Sequence, residues 1–242
     1  MSIALARKGG LRWWTQDELA MRQEIFQRLN RGIQQALLDV NRGWTFEQCE
    51  APMLVPRSMV SEAYTDDDVF FTGEEFAMRP ETTKGSFMYA AHLFNTSKIK
   101  PPLCVYQIGK SYRIEKADGA SPSKYRYNEF TQAEWQCLYS YGTKADYISA
   151  VEKAVADVIA DLNRLWIIRV VDSDRLPDYS RKTTDIEVSS WNADVQVFTE
   201  VCSMSERTDF DGLECFEVAV GIDRVIDLIA RSKAGEYLAT SS

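Results

Sequence analysis

Residues 111 to 134 read SYRIEKADGASPSKYRYNEFTQAE, and they decide the fold because two strand-like segments flank a polar loop. Gly, Ser and Pro in that loop are typical of a turn between antiparallel strands. Alternate residues of a strand face the same side of a sheet, so we expect Arg113 and Glu115 to share one face. Charged side chains on a sheet face are costly unless water or a ligand contacts them. The hairpin therefore presents either a solvated face or a ligand site.

The return strand of this hairpin adds a second arginine and an aromatic ring. Strand alternation places Arg126, Asn128 and Phe130 on one face. Arginine binds phosphate oxygens through two parallel hydrogen bonds and stacks on purines. Two arginines that flank a turn beside an aromatic residue would therefore suit a nucleotide polyphosphate, with a solvated sheet face as the alternative.

Hydrophobic periodicity along the rest of the chain predicts one α+β domain, an antiparallel sheet flanked by helices. A capping box from Thr15 to Glu18 is expected to open a helix over 16–42. No Gly-rich phosphate loop and no βαβ alternation occur, which argues against Rossmann and P-loop folds. The other expected elements are a strand ending at Pro56, helices near 80–94, 144–165 and 221–232, and strands at 103–114, 125–138, 166–173, 183–190, 195–203 and 215–220.

Composition and charge narrow the chemistry. The 242 residues carry 28 Lys and Arg against 36 Asp and Glu, a net charge of −8 that opposes non-specific attraction to a nucleic-acid backbone. The five cysteines form no CxxC pair, which favours buried thiols in a reducing compartment over disulfides or a zinc site. No apolar stretch approaches the roughly 20 residues of a membrane span, so a cytoplasmic protein is expected.

The single histidine, His92, lies in an apolar context and is expected at a core or half-buried helix position. Serine and cysteine nucleophiles that depend on a histidine base are therefore poorly supported. Any chemistry must rely on Arg, Glu and Asp, and on a metal held by carboxylates.

Two further clusters lie in the second half of the chain. Glu200 and Ser203 could supply the hard oxygen ligands that Mg²⁺ prefers. Glu217 lies on a predicted strand that passes through Gly221 into a helix, and Arg224 lies near the start of that helix, where anions are favoured. Each cluster is weak alone, and their order along the chain makes them informative.

Taken in that order, the motifs resemble the class II aminoacyl-tRNA synthetases from about residue 12 to 232. The first helix and the strand to Pro56 resemble motif 1, the quoted hairpin resembles motif 2, and GIDR at 221–224 resembles motif 3. Within the class, α2-type glycyl-tRNA synthetases are the most similar. That similarity lies in RPETTKG at 79–85 (family RPETAQG), QIGKSYRIE at 107–115, EFTQAE at 129–134 (family EFTMAE) and RTDFD at 207–211.

The resemblance implies ATP contacts. Arg113 would hold the α-phosphate and the attacking carboxylate, Arg126 the γ-phosphate, and Glu115 the adenine amino group. Phe130 and Arg224 would sandwich adenine. Glu200 and Ser203 would hold Mg²⁺. The implied ATP-binding set is Arg113, Glu115, Arg126, Phe130, Glu200, Val201, Gly221 and Arg224, with Arg113 and Arg224 as catalytic residues.

The resemblance also implies an amino-acid pocket. Glu81, Glu134 and Glu217 would surround the substrate ammonium, which leaves little room for a side chain, so glycine or another small amino acid is implied. Arg207 would bind the carboxylate. The implied set is Arg79, Glu81, Thr83, Gln132, Glu134, Arg207, Glu217 and Ala219.

Two positions depart from the family pattern. EVAVG at 217–221 replaces EPSAG and removes a hydroxyl at Ala219, which makes a changed substrate conceivable. Asn128 stands where the family has Arg.

The implied function is ATP-dependent activation of a small amino acid as an aminoacyl-adenylate, followed by transfer to the acceptor end of a tRNA. Alternatives are transfer to a carrier protein or small molecule, a non-catalytic paralog acting as an accessory or regulatory subunit, and an amide-forming ligase on the same fold. We expect one catalytic domain over 1–242 without an anticodon-binding domain, a homodimer formed through motif 1, and a loop at 116–124 that faces the acceptor.

Overall fold

The computed structural model describes residues 13–96, 99–115, 126–143, 145–174, 176–192 and 195–239. The predicted acceptor-facing loop at 116–124 lies outside these residues. The helices within them are α1 (Gln16–Val40), α2 (Thr83–Thr96), α3 (Tyr147–Leu162) and α4 (Ile222–Ala239). The strands are β1 (Thr45–Gln48), β2 (Leu54–Pro56), β3 (Phe71–Thr72), β4 (Phe76–Met78), β5 (Leu103–Tyr112), β6 (Glu129–Ser140), β7 (Ile168–Asp172), β8 (Ser180–Asn192), β9 (Val195–Arg207) and β10 (Leu213–Val220).

A seven-stranded sheet in the order β1-β5-β6-β10-β9-β8-β7 forms the centre of the molecule. The predicted α+β class is confirmed, and neighbouring strands from β5 to β7 are antiparallel. The edge pair departs from the prediction because β1 and β5 run parallel. A long connection through α2 separates these two strands, and parallel pairing requires such a connection.

Helix α1 begins as its sequence predicts. The Thr15 hydroxyl accepts a hydrogen bond from the Glu18 amide at 3.3 Å, and the Glu18 carboxylate accepts one from the Thr15 amide at 2.9 Å. The apolar residues of α1 recur every three or four positions and pack with α3 and α4 into the main hydrophobic core on one side of the sheet. This side, which we call the back, is closed by helices. None of the described helices is long and apolar enough to cross a membrane.

The segment predicted as a single strand to Pro56 forms two short strands in different sheets. β1 ends at Gln48, and β2 pairs with β4 in a separate sheet of order β2-β4-β3. Pro52 lies between them and has no amide hydrogen with which to continue a ladder. The Ala51 amide instead donates to the side chain of Gln107 on β5, at 3.1 Å.

The opposite face of the large sheet, the front, carries polar side chains in register. Across β6, β10, β9 and β8, one row of paired positions consists of Glu134, Ala219, Ser203 and Asp185. All four line one cavity. The topology therefore brings residues that are far apart in sequence onto a common floor.

Candidate active site

A cavity of about 1110 Å³ opens on the front of the sheet. Its acidic part contains Glu81, Glu134 and Glu217, and its basic part contains Arg113, Arg126 and Arg224. The acidic part draws on the segment before α2 and on β6 and β10, whereas the basic part draws on the hairpin and on α4. We call these two groups the acid cluster and the arginine group.

Arg113 links the two parts of the cavity. Its Nε donates to the carbonyl of Pro80 at 3.0 Å, and its guanidinium carbon lies 5.1 Å from the ring centroids of both Tyr64 and Phe130. Burial alone would lower the pKa of Arg113, but the nearby Tyr64 and Glu81 outweigh it and the pKa is raised. Arg113 therefore stays cationic at the centre of the site.

Asn128 holds the backbone of the hairpin at this point. Its carbonyl accepts a hydrogen bond from the Arg113 amide, and its side-chain oxygen accepts one from the Glu115 amide, both at 3.0 Å. β5 ends at Tyr112, so these contacts, not strand alternation, direct Arg113 and Glu115 into the cavity. The position that departs from the family pattern therefore has a local structural role.

The remaining members of the hairpin site lie closer to solvent. Arg126, 54% exposed, lies 3.4 Å from the carboxylate of Glu115, which is 18% exposed. Phe130 on β6 lines the same wall. This end of the cavity is open enough for a ligand to reach both arginines of the hairpin.

Helix α4 begins directly behind the floor of the cavity. The Gly221 amide donates to the carbonyl of Val201 at 3.0 Å, which ties the start of α4 to β9. Arg224, in the first turn of α4, donates from Nη1 to the carbonyl of Glu200 at 2.7 Å and lies 3.5 Å from its carboxylate. These contacts place Arg224 and Glu200 side by side.

A β-bulge brings Glu200 and Ser203 to the same face. Ile186 pairs with Cys202 while the next residue, Glu187, pairs with Glu200, so Val201 is an extra residue in β9. Positions three apart would otherwise face opposite sides of a strand. Both Glu200 and Ser203 line the cavity, as the predicted cation site requires.

The oxygen atoms at this position fit a hard divalent cation. Glu200 supplies a half-exposed carboxylate and Ser203 a hydroxyl, and Asp185 opposite Ser203 has a buried oxygen, Oδ1, without a hydrogen-bond partner. In the described part of the chain, no three His, Cys, Asp or Glu side chains converge as a complete metal site. A cation here would take further oxygens from water or phosphate, as Mg²⁺ commonly does.

The acid cluster is held by hydroxyl groups at the start of α2. Thr83 donates to Glu134 at 3.2 Å or to Glu217 at 3.3 Å, and Thr82 also contacts Glu134. Gln132 donates to the other oxygen of Glu134. Thr83 and Gln132, both predicted to belong to the amino-acid pocket, thus fix the two carboxylates.

Glu81 completes the acid cluster and keeps one oxygen without a partner. Oε2 accepts a hydrogen bond from Tyr64 at 3.2 Å, whereas the buried Oε1 has no hydrogen-bond partner among the described residues. Burial and the neighbouring Glu217 raise the pKa of Glu81. Burial, Glu217 and Glu81 together raise the pKa of Glu134 to about 8. The cluster therefore favours an added cation.

Arg207 lies beneath the acid cluster and does not line the cavity. Its guanidinium binds both oxygens of Asp209, at 2.9 and 2.7 Å, and Glu217 at 2.6 Å. The rings of Tyr179 and Phe87 lie 3.9 and 5.1 Å from its central carbon. The predicted contact between Arg207 and a substrate carboxylate would require this buried network to open.

Arg79 also lies behind the cavity wall. Its side chain donates to the carbonyl of Lys110 at 2.8 Å and to the carbonyls of Ala51 and Pro52. It thereby fixes the turn that leads to Glu81. Arg79, Thr83, Val201 and Arg207 are the predicted site residues that the structure places around the cavity and not on its surface.

Tyr64, Tyr179 and Asp185 are among the cavity residues that were not identified from the sequence. Tyr64 lies in an acidic, turn-rich segment, and Tyr179 lies in the turn before β8, so neither position carries a local motif. Asp185 offers a usable indication, because a lone aspartate in the strand sequence TTDIEVSS is unusual for a buried strand.

Glycine–tRNA ligases are similar to this chain in sequence. No family model matches the chain. The glycine–tRNA ligase of Staphylococcus saprophyticus is 32% identical over 143 residues, which are 57% of this chain and 29% of that protein. The glycine–tRNA ligase of Alkaliphilus oremlandii is 28% identical over 180 residues, 62% of this chain and 37% of that protein. The chain therefore spans only about a third of these relatives.

Solved structures show the same fold. Pyrrolysyl-tRNA synthetase from Desulfitobacterium hafniense has a TM-score of 0.57 at 18% identity, covering 86% of this chain and 70% of that one. Prolyl-tRNA synthetase from Cryptosporidium parvum, complexed with halofuginone and AMPPNP, has a TM-score of 0.66 at 15% identity, covering 90% and 47%. The chain therefore has the catalytic-domain fold of the class II aminoacyl-tRNA synthetases, and glycine–tRNA ligases are its sequence relatives.

Proposed function

We propose that this protein activates a small amino acid, glycine, with ATP to form an aminoacyl-adenylate and then passes the aminoacyl group to a tRNA. The observation that carries the proposal is the acid cluster, three buried carboxylates with one unpartnered oxygen, placed beside the arginine group. An ammonium group and a polyphosphate in one cavity match these two charge patterns.

The acid cluster suits the ammonium group of an amino acid. Glu217 is already paired with Arg207. The raised pKa values of Glu81 and Glu134 show that the described side chains do not offset the burial of their charges, so a bound ammonium would favour their ionised forms. Ammonium groups donate three hydrogen bonds, and bonds between charged partners contribute about 1.5–3 kcal/mol each. Tyr64, Thr83 and Gln132 would orient the carboxylates toward the bound ammonium.

The register of the sheet supports a small substrate. Ala219 on β10 pairs with Glu134 on β6 and with Ser203 on β9. It therefore separates the proposed ammonium site from the proposed phosphate site. The α-carbon of the substrate would lie over Ala219. The methyl group of Ala219 provides an apolar floor without a hydroxyl.

The arginine group suits a bent ATP. Arg113 would contact the α-phosphate and the substrate carboxylate, since it lies between the two parts of the cavity. Arg126 would contact the γ-phosphate, and Glu115 the adenine amino group. Phe130 and Arg224 would hold the adenine ring by stacking and cation–π contacts. The AMPPNP complex of the prolyl enzyme with the same fold is consistent with a nucleotide in this cavity.

Adenylate formation on this site needs no general base. A carboxylate oxygen of the amino acid attacks the α-phosphorus, the new oxygen–phosphorus bond forms, and the bond to pyrophosphate breaks. Arg113 would align the two reactants and neutralise charge at the α-phosphate. Glu200 and Ser203 would hold Mg²⁺, which would neutralise the phosphate oxygens when bound. The positioning role of arginine explains why a chain with one histidine suffices.

ATP–pyrophosphate exchange measured with each amino acid in turn tests the proposal. We expect glycine to support exchange and large amino acids to fail. Arg113→Ala should abolish exchange, whereas Arg31→Ala, an exposed position on α1, should not. Absence of exchange with every amino acid would overturn the proposal.

The acceptor requires a separate assay. The names of the relatives favour tRNA, and a carrier protein is the alternative. Charging of total tRNA with radiolabelled glycine would support tRNA. Strong exchange without any charging of tRNA would instead direct the search to a carrier protein or a small molecule.

A further inference from the structure

Asp185 is a cavity residue without an implied role in binding ATP or the amino acid. It is 8% exposed, lines the cavity from β8, and has one carboxylate oxygen, Oδ1, without a hydrogen-bond partner among the described residues. Burying a carboxylate without a partner is costly unless a cation or a donor compensates. Asp185 is therefore placed to contact a ligand that enters the cavity.

The side chains around Asp185 are engaged elsewhere. The hydroxyl groups of Thr183 and Ser205 bond to each other at 3.1 Å. Arg169, on the neighbouring strand β7, pairs with Glu187, and Arg224 pairs with Glu200. Within the described residues, no lysine or arginine forms an ion pair with Asp185. The described residues therefore leave Oδ1 of Asp185 available to a ligand that binds in the cavity.

Strand register brings Asp185 next to the proposed cation ligands. Asp185 pairs directly with Ser203, and Glu187, two residues further along β8, pairs with Glu200. Asp185 and Glu200 are thus diagonal neighbours on one face, with Cα atoms about 7–8 Å apart. The bulge at Val201 is what turns Glu200 toward this face. Two carboxylates and a hydroxyl then surround one region of the cavity.

The charges near Asp185 indicate which kind of ligand its carboxylate would bind. The ammonium of an amino acid would be held by the acid cluster, and Ala219 and Ser203 separate Asp185 from Glu134 in the row across the sheet. ATP would bring further negative charge close to Asp185. A hard divalent cation between the carboxylates and the phosphates satisfies both requirements.

We propose that Asp185 is a further oxygen ligand of the divalent cation that binds with ATP, acting together with Glu200 and Ser203. This inference rests on the proposed function, since it requires ATP in the cavity. It adds a ligand from β8 to a site otherwise built from β9.

Mn²⁺ binding to the full chain in the presence of AMPPNP, followed by electron paramagnetic resonance, tests the proposal without any turnover. Asp185→Asn should weaken Mn²⁺ binding about 10-fold or more, the range seen when groups around a metal are removed. Calorimetry should show AMPPNP affinity reduced at low Mg²⁺ and restored at high Mg²⁺. Asp172→Asn is the matched control. Asp172 is exposed on β7 and pairs with Thr184, so it lies on the face of the sheet opposite to Asp185.

The possible outcomes are distinguishable. Equal Mn²⁺ affinity in Asp185→Asn and the wild type would overturn the inference alone, as would a loss of glycine affinity with Mn²⁺ binding intact. Asp185→Ser, which also removes the carboxylate, gives the same readout if the Asn variant does not fold. A wild-type chain that binds no AMPPNP at all would overturn both this inference and the proposed function.

Discussion

At the scale of single residues, we expect the buried ion pairs of Arg207 to contribute mainly to the free energy of unfolding and less to substrate binding. Its guanidinium is fully buried between Asp209 and Glu217, so Arg207→Met would leave two carboxylates without their cation. Breaking a buried pair in this way costs about 3–5 kcal/mol. We expect urea denaturation to show a loss of this size in the free energy of unfolding.

Arg181 provides a matched control for Arg207. It also pairs with two acids, Glu206 and Glu214, but it is 48% exposed. Exposed pairs contribute about 0–1 kcal/mol, so Arg181→Met should have a small effect. Equal losses for the two variants would contradict the view that Arg207 mainly supports the acid cluster.

Glu134 predicts a dependence of stability on pH. Burial, Glu217 and Glu81 raise the pKa of Glu134 from 4.5 to about 8, so between these values the folded chain holds a proton that the unfolded chain lacks. The stabilisation from this proton is fully present below about pH 4.5 and is lost as pH rises through about 8. The free energy of unfolding should therefore fall by at most about 1.4 kcal/mol per pH unit in this window.

Glu134→Gln isolates the contribution of that carboxyl group. Glutamine is neutral at every pH, so the variant should show a flatter profile than the wild type in urea denaturation between pH 5 and pH 8, and should gain relative stability at the upper end. Parallel profiles for the two proteins would show that Glu134 does not carry the proton.

Local motifs predicted which residue types form the site, but they did not predict which atoms those side chains contact. The arginine group and the acid cluster line one cavity, and each of their members belongs to one of the short motifs in the sequence. The contacts of Arg79 and Arg207 could not be predicted, since they depend on carbonyls and carboxylates supplied by other segments. Tyr64 and Tyr179 reach the site only through tertiary packing.

At the scale of secondary structure, the approach of α2 to the segment before β2 depends on a glycine. A Cβ atom at Gly85 would overlap the Cβ of Ala51. Alanine favours helix by about 1 kcal/mol over glycine, but overpacking costs about 1–3 kcal/mol. Gly85→Ala should therefore lower the free energy of unfolding and displace Thr83, which weakens glycine binding.

A compensating change provides the control for Gly85→Ala. The added Ala51→Gly substitution removes the atom that the new methyl group would meet. We expect the double variant to recover most of the lost stability in urea denaturation. A double variant no more stable than Gly85→Ala would show that the close packing of α2 is not the cause.

The elements themselves were largely predictable, whereas two irregularities were not. Helix α1 carries both its cap and its apolar period in sequence, so its position follows from local chemistry. The parallel pairing of β1 with β5 and the bulge at Val201 depend on which strands become neighbours. Strand alternation determines which side chains share a face, but it does not identify the neighbouring strand. The proposed cation site depends on one of these irregularities.

At the scale of the whole molecule, the three-stranded sheet carries an exposed apolar face. Leu54 and Phe76 are 49% and 41% exposed, and strand pairing sets them beside Met78 and Pro56 on one side. The alternate residues Val55 and Ala77 are buried against the body of the protein. Contiguous apolar surface of this kind commonly marks a protein interface.

We therefore predict a homodimer in which this face, which includes the strand ending at Pro56 that resembles motif 1, contacts a second copy. Sedimentation velocity at micromolar concentration should show a dimer, and Leu54→Glu with Phe76→Glu should shift it to monomer, because charges cannot be buried there without partners. Leu165→Glu, at a residue 68% exposed outside this sheet, serves as the control and should remain dimeric. A monomeric wild type would contradict the prediction.

Since β4 leads directly to Arg79 and Glu81, a dimer-breaking variant should also weaken glycine binding if the interface supports the site.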